Sequence, residues 1–320
     1  MNRAPDLPAS RGKAKGTILV TAPRIHEDAM ALLSEYRVIQ TGTTVTEDEL
    51  VAICAKEEPV AILARYGFFN ERVFRASPRL KVISRHGVGM DSIDIAAAQR
   101  VGVAVEAAIG SNSQAVAEHA IGLMFACARK LGWLDQRMKQ ARWDKEGYLG
   151  LELQGATLGV IGCGSIGGRV AAFAKALGMK VLVCDPYLGE HLLPADTVRV
   201  ELESLLRRSD VVSLHCPLND ETRGMLDASR LALLKDKAIV INTARAGLLD
   251  EAAMQQKLRE GGISLGLDCF VQEPLPADSA WLDVPNAVLT PHVGGTTDGG
   301  MRGMGVGAAR NILRHLKEKT

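Results

Sequence analysis

Short apolar runs alternate with amphipathic stretches along nearly the whole chain. In the first third, Thr17–Thr21, Arg37–Gln40, Val60–Ala64, Lys81–Arg85 and Val103–Val105 read as strands. Helical periodicity fills the gaps near residues 26–35, 47–56, 70–76 and 93–100, and Thr46-Glu47-Asp48-Glu49 has the spacing of a capping box. One long helical pattern follows over about 112–141, capped by Ser111 with Gln114 and running through Ala117, Ile121, Met124, Phe125, Ala128, Trp133 and Met138. The alternation restarts with Thr157–Ile161, Lys180–Cys184, Val198–Val200, Val211–Leu214, Ala238–Ile241, Ser264–Leu267 and Ala287–Leu289, and a last helical pattern spans about 297–317. Strands separated by helices of this length pair in parallel. The expectation is therefore α/β: two domains, each a doubly wound parallel sheet.

The first strand of the second set carries the most telling pattern. Thr157–Ile161 runs directly into Gly162-Cys163-Gly164-Ser165-Ile166-Gly167, and a helical pattern begins there and stops at Gly178. In a dinucleotide fold the first glycine permits the tight turn, the second lets the backbone approach a pyrophosphate, and the third lets helix and strand pack closely. The helix N-terminus offers N–H groups and partial positive charge to that pyrophosphate. Asp185 closes the next strand, about 20 residues on, where an acidic residue accepts the ribose hydroxyls. A carboxylate there repels a 2′-phosphate, and Pro186-Tyr187-Leu188 has no arginine to hold one, so the cofactor reads as NAD and not NADP.

Composition narrows the classes. Over 320 residues, 47% hydrophobic and 23% charged content is that of an ordinary globular protein. A net charge of +1 provides no field to steer nucleic acid or a membrane surface. No apolar run is long enough to span a bilayer. Residues 1–16 are basic and Pro/Ala-rich without a hydrophobic centre, which reads as a flexible tail and not a signal peptide. The six cysteines show no CxxC pairing, so reduced thiols in a cytoplasmic protein are expected. No HxxxH or HExxH spacing points to a metal.

Ligands of open parallel sheets bind beyond the carboxyl ends of the strands. Past these ends come Arg65; Arg85-His86-Gly87-Val88-Gly89; His215-Cys216; Thr243-Ala244-Arg245; Asp268 with Glu273; and His292. Taken singly, each has a plainer reading: Arg245 as a cap or surface arginine, Glu273 as a solvated loop carboxylate, His292 as a core histidine. His215, His119, His26, His191 and His315 read as structural. For the long helix, pattern alone does not separate a core helix from one packed on a second domain or subunit.

Together these segments resemble the D-isomer-specific 2-hydroxyacid dehydrogenases. The resemblance rests on Gly162–Gly167 with Asp185, Asn242–Gly247, Leu267–Phe270 leading to Glu273-Pro274-Leu275, Thr290–Gly295, and Arg85–Asp91, and it runs from about residue 17 to the end. It implies a Rossmann cofactor domain (109–291) inserted into a flavodoxin-like substrate domain (17–108 and 292–320), with the long helix shaping a homodimer. It also implies catalytic roles. His292 would be the general acid/base toward the substrate oxygen, Glu273 would fix its tautomer and orientation, and Arg245 would bind the carboxylate of a 2-hydroxy or 2-oxo acid and polarise its carbonyl. Gly87, Val88 and Gly89 would form the substrate loop. On the cofactor side it implies Gly162, Gly164, Ser165, Ile166 and Gly167 at the pyrophosphate, Asp185 and Cys216 by the adenosine half, and Thr243, Ala244, Asp268, Gly294 and Gly295 toward the nicotinamide half.

Departures from the family are small: Ser92 where asparagine is frequent, and Cys269 for a common valine. Nothing resembling the regulatory domain of some phosphoglycerate dehydrogenases is seen, so feedback by that route is not expected. Arg65 and Arg85 match positions where phosphoglycerate dehydrogenases carry arginine, which points to a second anion on the substrate, as in 3-phosphoglycerate. Hydroxypyruvate or glyoxylate reduction is the rival within the family, alongside oxidation of phosphite or formate. An NAD-sensing corepressor on the same scaffold is the rival outside catalysis.

Overall fold

The structure, a computed structural model, describes residues 14–317. The chain divides into two compact units, one comprising the residues up to Asn112 with those from Thr297 onward, the other Ser113–Thr296. In the first unit, β1 (Thr17–Val20), β2 (Arg37–Gln40), β3 (Ala61–Ala64), β4 (Val82–Arg85) and β5 (Ala104–Ala107) form an all-parallel sheet in the order β2-β1-β3-β4-β5. That is the flavodoxin-like order. The strands alternate with α1 (Glu27–Leu32), α2 (Glu47–Glu57), α3 (Glu71–Ala76) and α4 (Ile95–Arg100). Helices cover both faces, so β3 is buried at all four positions and its sequence, Ala-Ile-Leu-Ala, is continuously apolar. The capping box closes α2: the Thr46 hydroxyl accepts from the Glu49 amide, and Glu49 accepts from the Thr46 amide. β5 begins one residue later than its apolar run, because its register is set by Val82 pairing with Ala104.

The last helix, α11 (Asp298–Lys317), completes this first unit by packing on α1, β3, β4 and β5. Its glycines have a reason. A Cβ at Gly303 would overlap the Ser111 carbonyl, and one at Gly307 would press on Ala108 at 3.0 Å. Farther along, Asn311 donates to the Ala107 carbonyl and Arg314 pairs with Glu106.

In the second unit α5 (Ser113–Ala128) and α6 (Leu131–Lys139) precede β6 (Thr157–Ile161), α7 (Gly167–Ala176), β7 (Lys180–Cys184) and β8 (Val198–Arg199). Then come α8 (Leu202–Arg208), β9 (Val211–Leu214), α9 (Ala228–Leu231), β10 (Ala238–Asn242), α10 (Glu251–Glu260), β11 (Ile263–Leu267) and β12 (Ala287–Leu289). The seven parallel strands lie in the order β12-β11-β10-β9-β6-β7-β8, so the direction of winding reverses between β6 and β9. This is the Rossmann pattern, and the reversal is where such sheets take ligands. The chain re-enters the first unit at Thr297, a little past the expected return at 292, because Asp268 holds Val293 and Gly294 to the second sheet.

The expected single helix over 112–141 is two. Lys130 adopts a left-handed φ of 48°, which interrupts the helix between α5 and α6. Nor do Ser111 and Gln114 pair as a cap: Ser111 donates back to the Ala108 carbonyl and Gln114 to Glu118. Among the described residues no helix is long and apolar enough to cross a membrane.

α5 packs on β10, β11 and β12, and Gly266 in β11 permits the approach: a Cβ there would lie 2.8 Å from Ile241 Cδ1 and 2.9 Å from Leu123 Cβ. Gly266→Ala is expected to destabilise the chain by about 1–3 kcal/mol through overpacking. Gly299→Ala, where an added Cβ meets nothing within 4 Å, should be neutral or slightly stabilising. Urea midpoints check both, and equal midpoints for the two variants would contradict the packing account.

Candidate active site

The glycine loop leaves the carboxyl end of β6. Gly162 has φ +83°, and a Cβ on it would lie 2.6 Å from the Cys216 amide nitrogen, so only glycine fits. A Cβ on Gly167 would overlap the Gly162 carbonyl, which brings the start of α7 directly against the strand end. Gly164 faces open space, with nothing within 4 Å of an added Cβ. Ile166, at the start of α7, makes no side-chain cap. Asp185, past β7, fastens the loop: one carboxylate oxygen accepts from the Cys163 amide at 2.8 Å, the other from Tyr187 and Leu188 at 3.0 Å. Beside the loop, burial pushes the Cys216 thiol up to about 11, so it stays neutral.

At the ends of β10, β11 and β12 a second group assembles. Asn242 is buried; its side-chain amide donates to the Arg245 carbonyl and its oxygen accepts from the Ala244 amide, shaping the Thr243-Ala244-Arg245 turn. The Arg245 guanidinium donates to the Ala244 carbonyl at 2.7 Å. Asp268, only 1% exposed, accepts from Thr290 Oγ1 (2.6 Å) and from the amides of Val293 (2.9 Å) and Gly294 (2.8 Å), and lies 3.3 Å from His119 Nε2. Burial works to raise its pKa, but the hydrogen bonds from His119, Thr290, Val293 and Gly294 outweigh burial and hold the carboxyl below the usual range.

Between Thr290 and Val293 sits His292, at a left-handed φ of 52°. Its Nδ1 lies 2.9 and 2.8 Å from the two oxygens of Glu273, whose Oε1 also accepts from the Phe270 amide. An ionised carboxylate can only accept, so Nδ1 carries a proton and Nε2 is the atom left for chemistry. The imidazole is half-exposed, with 48% of its side-chain surface open.

In the first unit, Arg65 and His86 follow β3 and β4. Arg85 Nη1 donates to the Arg65 carbonyl at 2.7 Å, and the Arg65 guanidinium lies 5.1 Å above the Tyr66 ring. Gly87 has φ +120° and its position faces Met304, while Val88 is exposed.

These features agree with what similarity shows. Residues 121–294 match the model of the D-isomer specific 2-hydroxyacid dehydrogenase NAD binding domain. A D-3-phosphoglycerate dehydrogenase from Methanocaldococcus jannaschii is 38% identical over 305 residues, covering 94% of this chain but 57% of that protein. A hydroxypyruvate reductase from Thermotoga maritima is 36% identical over 307 residues, covering 95% of this chain and 99% of that one. The crystal structure of the TT0316 protein from Thermus thermophilus superposes with a TM-score of 0.86 at 33% identity, covering 94% and 97% of the two chains. The chain belongs to the D-isomer-specific 2-hydroxyacid dehydrogenase family. It spans a little over half the length (57%) of the Methanocaldococcus relative.

NAD is the family's cofactor, and the residues present fit it. Gly164 leaves the backbone open to a pyrophosphate, the start of α7 has no side-chain cap, and Asp185 stands at the end of β7. Thr243 Oγ1 is buried without a hydrogen-bond partner at the other end of the site, a group that a bound amide would satisfy.

Two contributors to this edge give only weak signals in the sequence. His119 looks structural in isolation, since its partners Thr290 and Asp268 are far away in sequence. Thr290 had no role beyond marking a motif. A threonine immediately before Pro-His and an inward-facing histidine of α5 are weak signals until the sheet aligns them. His215 is held within the sheet: its Nε2 meets Ser213 Oγ at 2.8 Å and burial pushes its pKa down to about 4.

His86 is likewise pushed down to about 4, by burial first and then by the charge of Arg65. Between the ordinary 6.5 and about 4, the unfolded chain binds protons that the folded chain does not, so stability falls as pH drops through that window. Urea midpoints measured from pH 7 down to 4.5 should therefore decline. His86→Gln with His215→Gln should flatten that decline, and an unaltered slope would refute the assignment.

Proposed function

We propose that this chain is an NAD-dependent oxidoreductase that interconverts a D-2-hydroxyacid and its 2-oxoacid. The observation that carries this reading is His292, with Nδ1 held between both oxygens of Glu273 and Nε2 left open. NAD, when bound, takes or supplies the hydride. In oxidation His292 Nε2 removes the hydroxyl proton; in reduction it returns a proton to the carbonyl oxygen. Glu273 keeps the ring in one tautomer and stabilises the charge it gains. Arg245 binds the substrate carboxylate through its planar fork and polarises the neighbouring carbonyl, with the amides of Val88 and Gly89 as further carboxylate donors. Gly162, Gly164, Ser165, Ile166, Gly167, Asp185 and Cys216 would hold the pyrophosphate and adenosine half. Thr243, Ala244, Asp268, Gly294 and Gly295 would form the nicotinamide end.

For the substrate we infer an acid with a second anion, such as a phosphorylated 2-hydroxyacid, read by Arg65. Arg85 would support it, since it donates to the Arg65 carbonyl and so braces that backbone. The same engagement of Arg85 favours a second reading, a small unphosphorylated acid such as hydroxypyruvate or glyoxylate. The chain would act as a homodimer, an inference supported by exposed apolar side chains on and after α6: Leu131, Trp133, Met138, Trp143 and Leu149. A cytoplasmic location is supported by six cysteines that are all free thiols.

The test is NADH oxidation with a panel of phosphorylated and unphosphorylated 2-oxoacids, with phosphite and formate added as donors to NAD. Tight NADH binding without turnover of any of them would replace the enzyme by an NAD-sensing binding protein. With an accepted acid, His292→Gln should lower kcat about 10²–10⁴-fold while NADH affinity stays within a few-fold. Arg65→Ala should lower kcat/KM at least tenfold more for the phosphorylated acid than for its unphosphorylated counterpart. An equal fall would sink the second-anion idea. Sedimentation should give a dimer that Trp133→Asp weakens, and a monomeric wild type would exclude it.

A further inference from the structure

The turn at His292 is held by groups outside the His292–Glu273 pair. His292 stands in a left-handed conformation, which is unfavourable for a non-glycine residue and persists only where neighbours over-determine it. Those neighbours are Thr290 on one side and Val293 and Gly294 on the other, and all three donate to the buried Asp268 carboxylate. Behind them lies His119, from the middle of α5, with Nε2 2.9 Å from Thr290 Oγ1 and 3.3 Å from Asp268 Oδ1.

The available protons fix which groups donate. The Thr290 hydroxyl has a single proton, and its 2.6 Å bond to a carboxylate oxygen uses it. Thr290 Oγ1 can then only accept from His119, so Nε2 carries a proton, with Asp268 Oδ1 sharing it. The ring also packs on the turn itself: a Cβ on Gly294 would lie 3.4 Å from His119 Cδ2 and 2.9 Å from Asp268 Oδ2. Gly294 is thus small because His119 and Asp268 close on it from two sides.

We propose that His119 is a positioning residue for His292: its Nε2–H, shared by Thr290 and Asp268, locks the turn that aims the imidazole at Glu273. This rests on the reading of His292 as the acid/base, but the lock itself can be read in the protein without cofactor or substrate. His119→Ala removes the donor. His119→Gln returns an N–H near the position of Nε2. Thr290→Val breaks the same chain from the other side with little change of shape.

The readouts are hydrogen exchange of the 290–296 segment in the chain alone, and kcat against KM with an accepted 2-oxoacid and NADH. His119→Ala should speed exchange at Val293 and Gly294 at least tenfold and lower kcat at least tenfold, with KM for the acid within threefold. His119→Gln should restore both to within threefold of wild type, and Thr290→Val should behave like His119→Ala. Wild-type exchange in His119→Ala overturns the proposal. So does unchanged kcat beside faster exchange, or a His119→Gln variant as impaired as His119→Ala. Should His119→Ala fail to fold, Thr290→Val decides by the same criteria. A wild type that turns over no acid refutes the catalytic reading of His292, while exchange still confirms or refutes the lock.

Discussion

A carboxylate sealed away from water must find its hydrogen bonds within the fold, and at Asp268 that need organises the working edge of the second sheet. Leaving a buried charge unpaired costs several kcal/mol, so the four groups that reach Asp268 are held strongly. They come from two elements far apart in sequence: α5, through His119, and the segment past β12, through Thr290, Val293 and Gly294. The Asp268 amide in turn donates to the Asn242 carbonyl, which ties β11 to the turn carrying Arg245. Relax Asp268, and both the arginine turn and the histidine turn lose their common anchor.

Around that anchor, the parallel sheet does the rest. Parallel strands all end on one edge, so every loop that follows a strand opens there. The glycine loop, Asp185, Cys216, Arg245, Asp268, Glu273 and His292 all follow strand ends of one sheet for this reason. The inner strands are buried on both faces and carry mainly apolar side chains, with Ser213 and Asn242 as buried polar exceptions and Gly266 for close packing. Chemistry is left to the turns. There the backbone can adopt the positive φ of Gly162 or His292 that a strand interior forbids.

How much of this was legible beforehand follows from the range of the forces involved. β7 and β9 stand at the residues where apolar pattern placed them, because burial acts position by position. The α2 capping box was legible since both its bonds lie within four residues. The break at Lys130 was not: basic and apolar side chains continue the helical pattern across it, and only the folded backbone shows the left-handed residue that ends α5. Arg245, Glu273 and His292 were visible as residue types past strand ends, yet each alone admitted a plain structural reading. It took the resemblance of whole motifs to connect them.

The residues by themselves determined two α/β sheets, a glycine-rich turn between a strand and a helix, and an acidic residue one strand later, because each follows from local periodicity and from backbone conformations only glycine adopts. Tertiary structure alone decided that Glu273 holds His292 by Nδ1, that Asp268 spends its carboxylate on the histidine turn, and that His119 stands behind both. These are contacts between segments separated by up to 171 positions, and no local preference encodes which buried donor will meet which buried carboxylate.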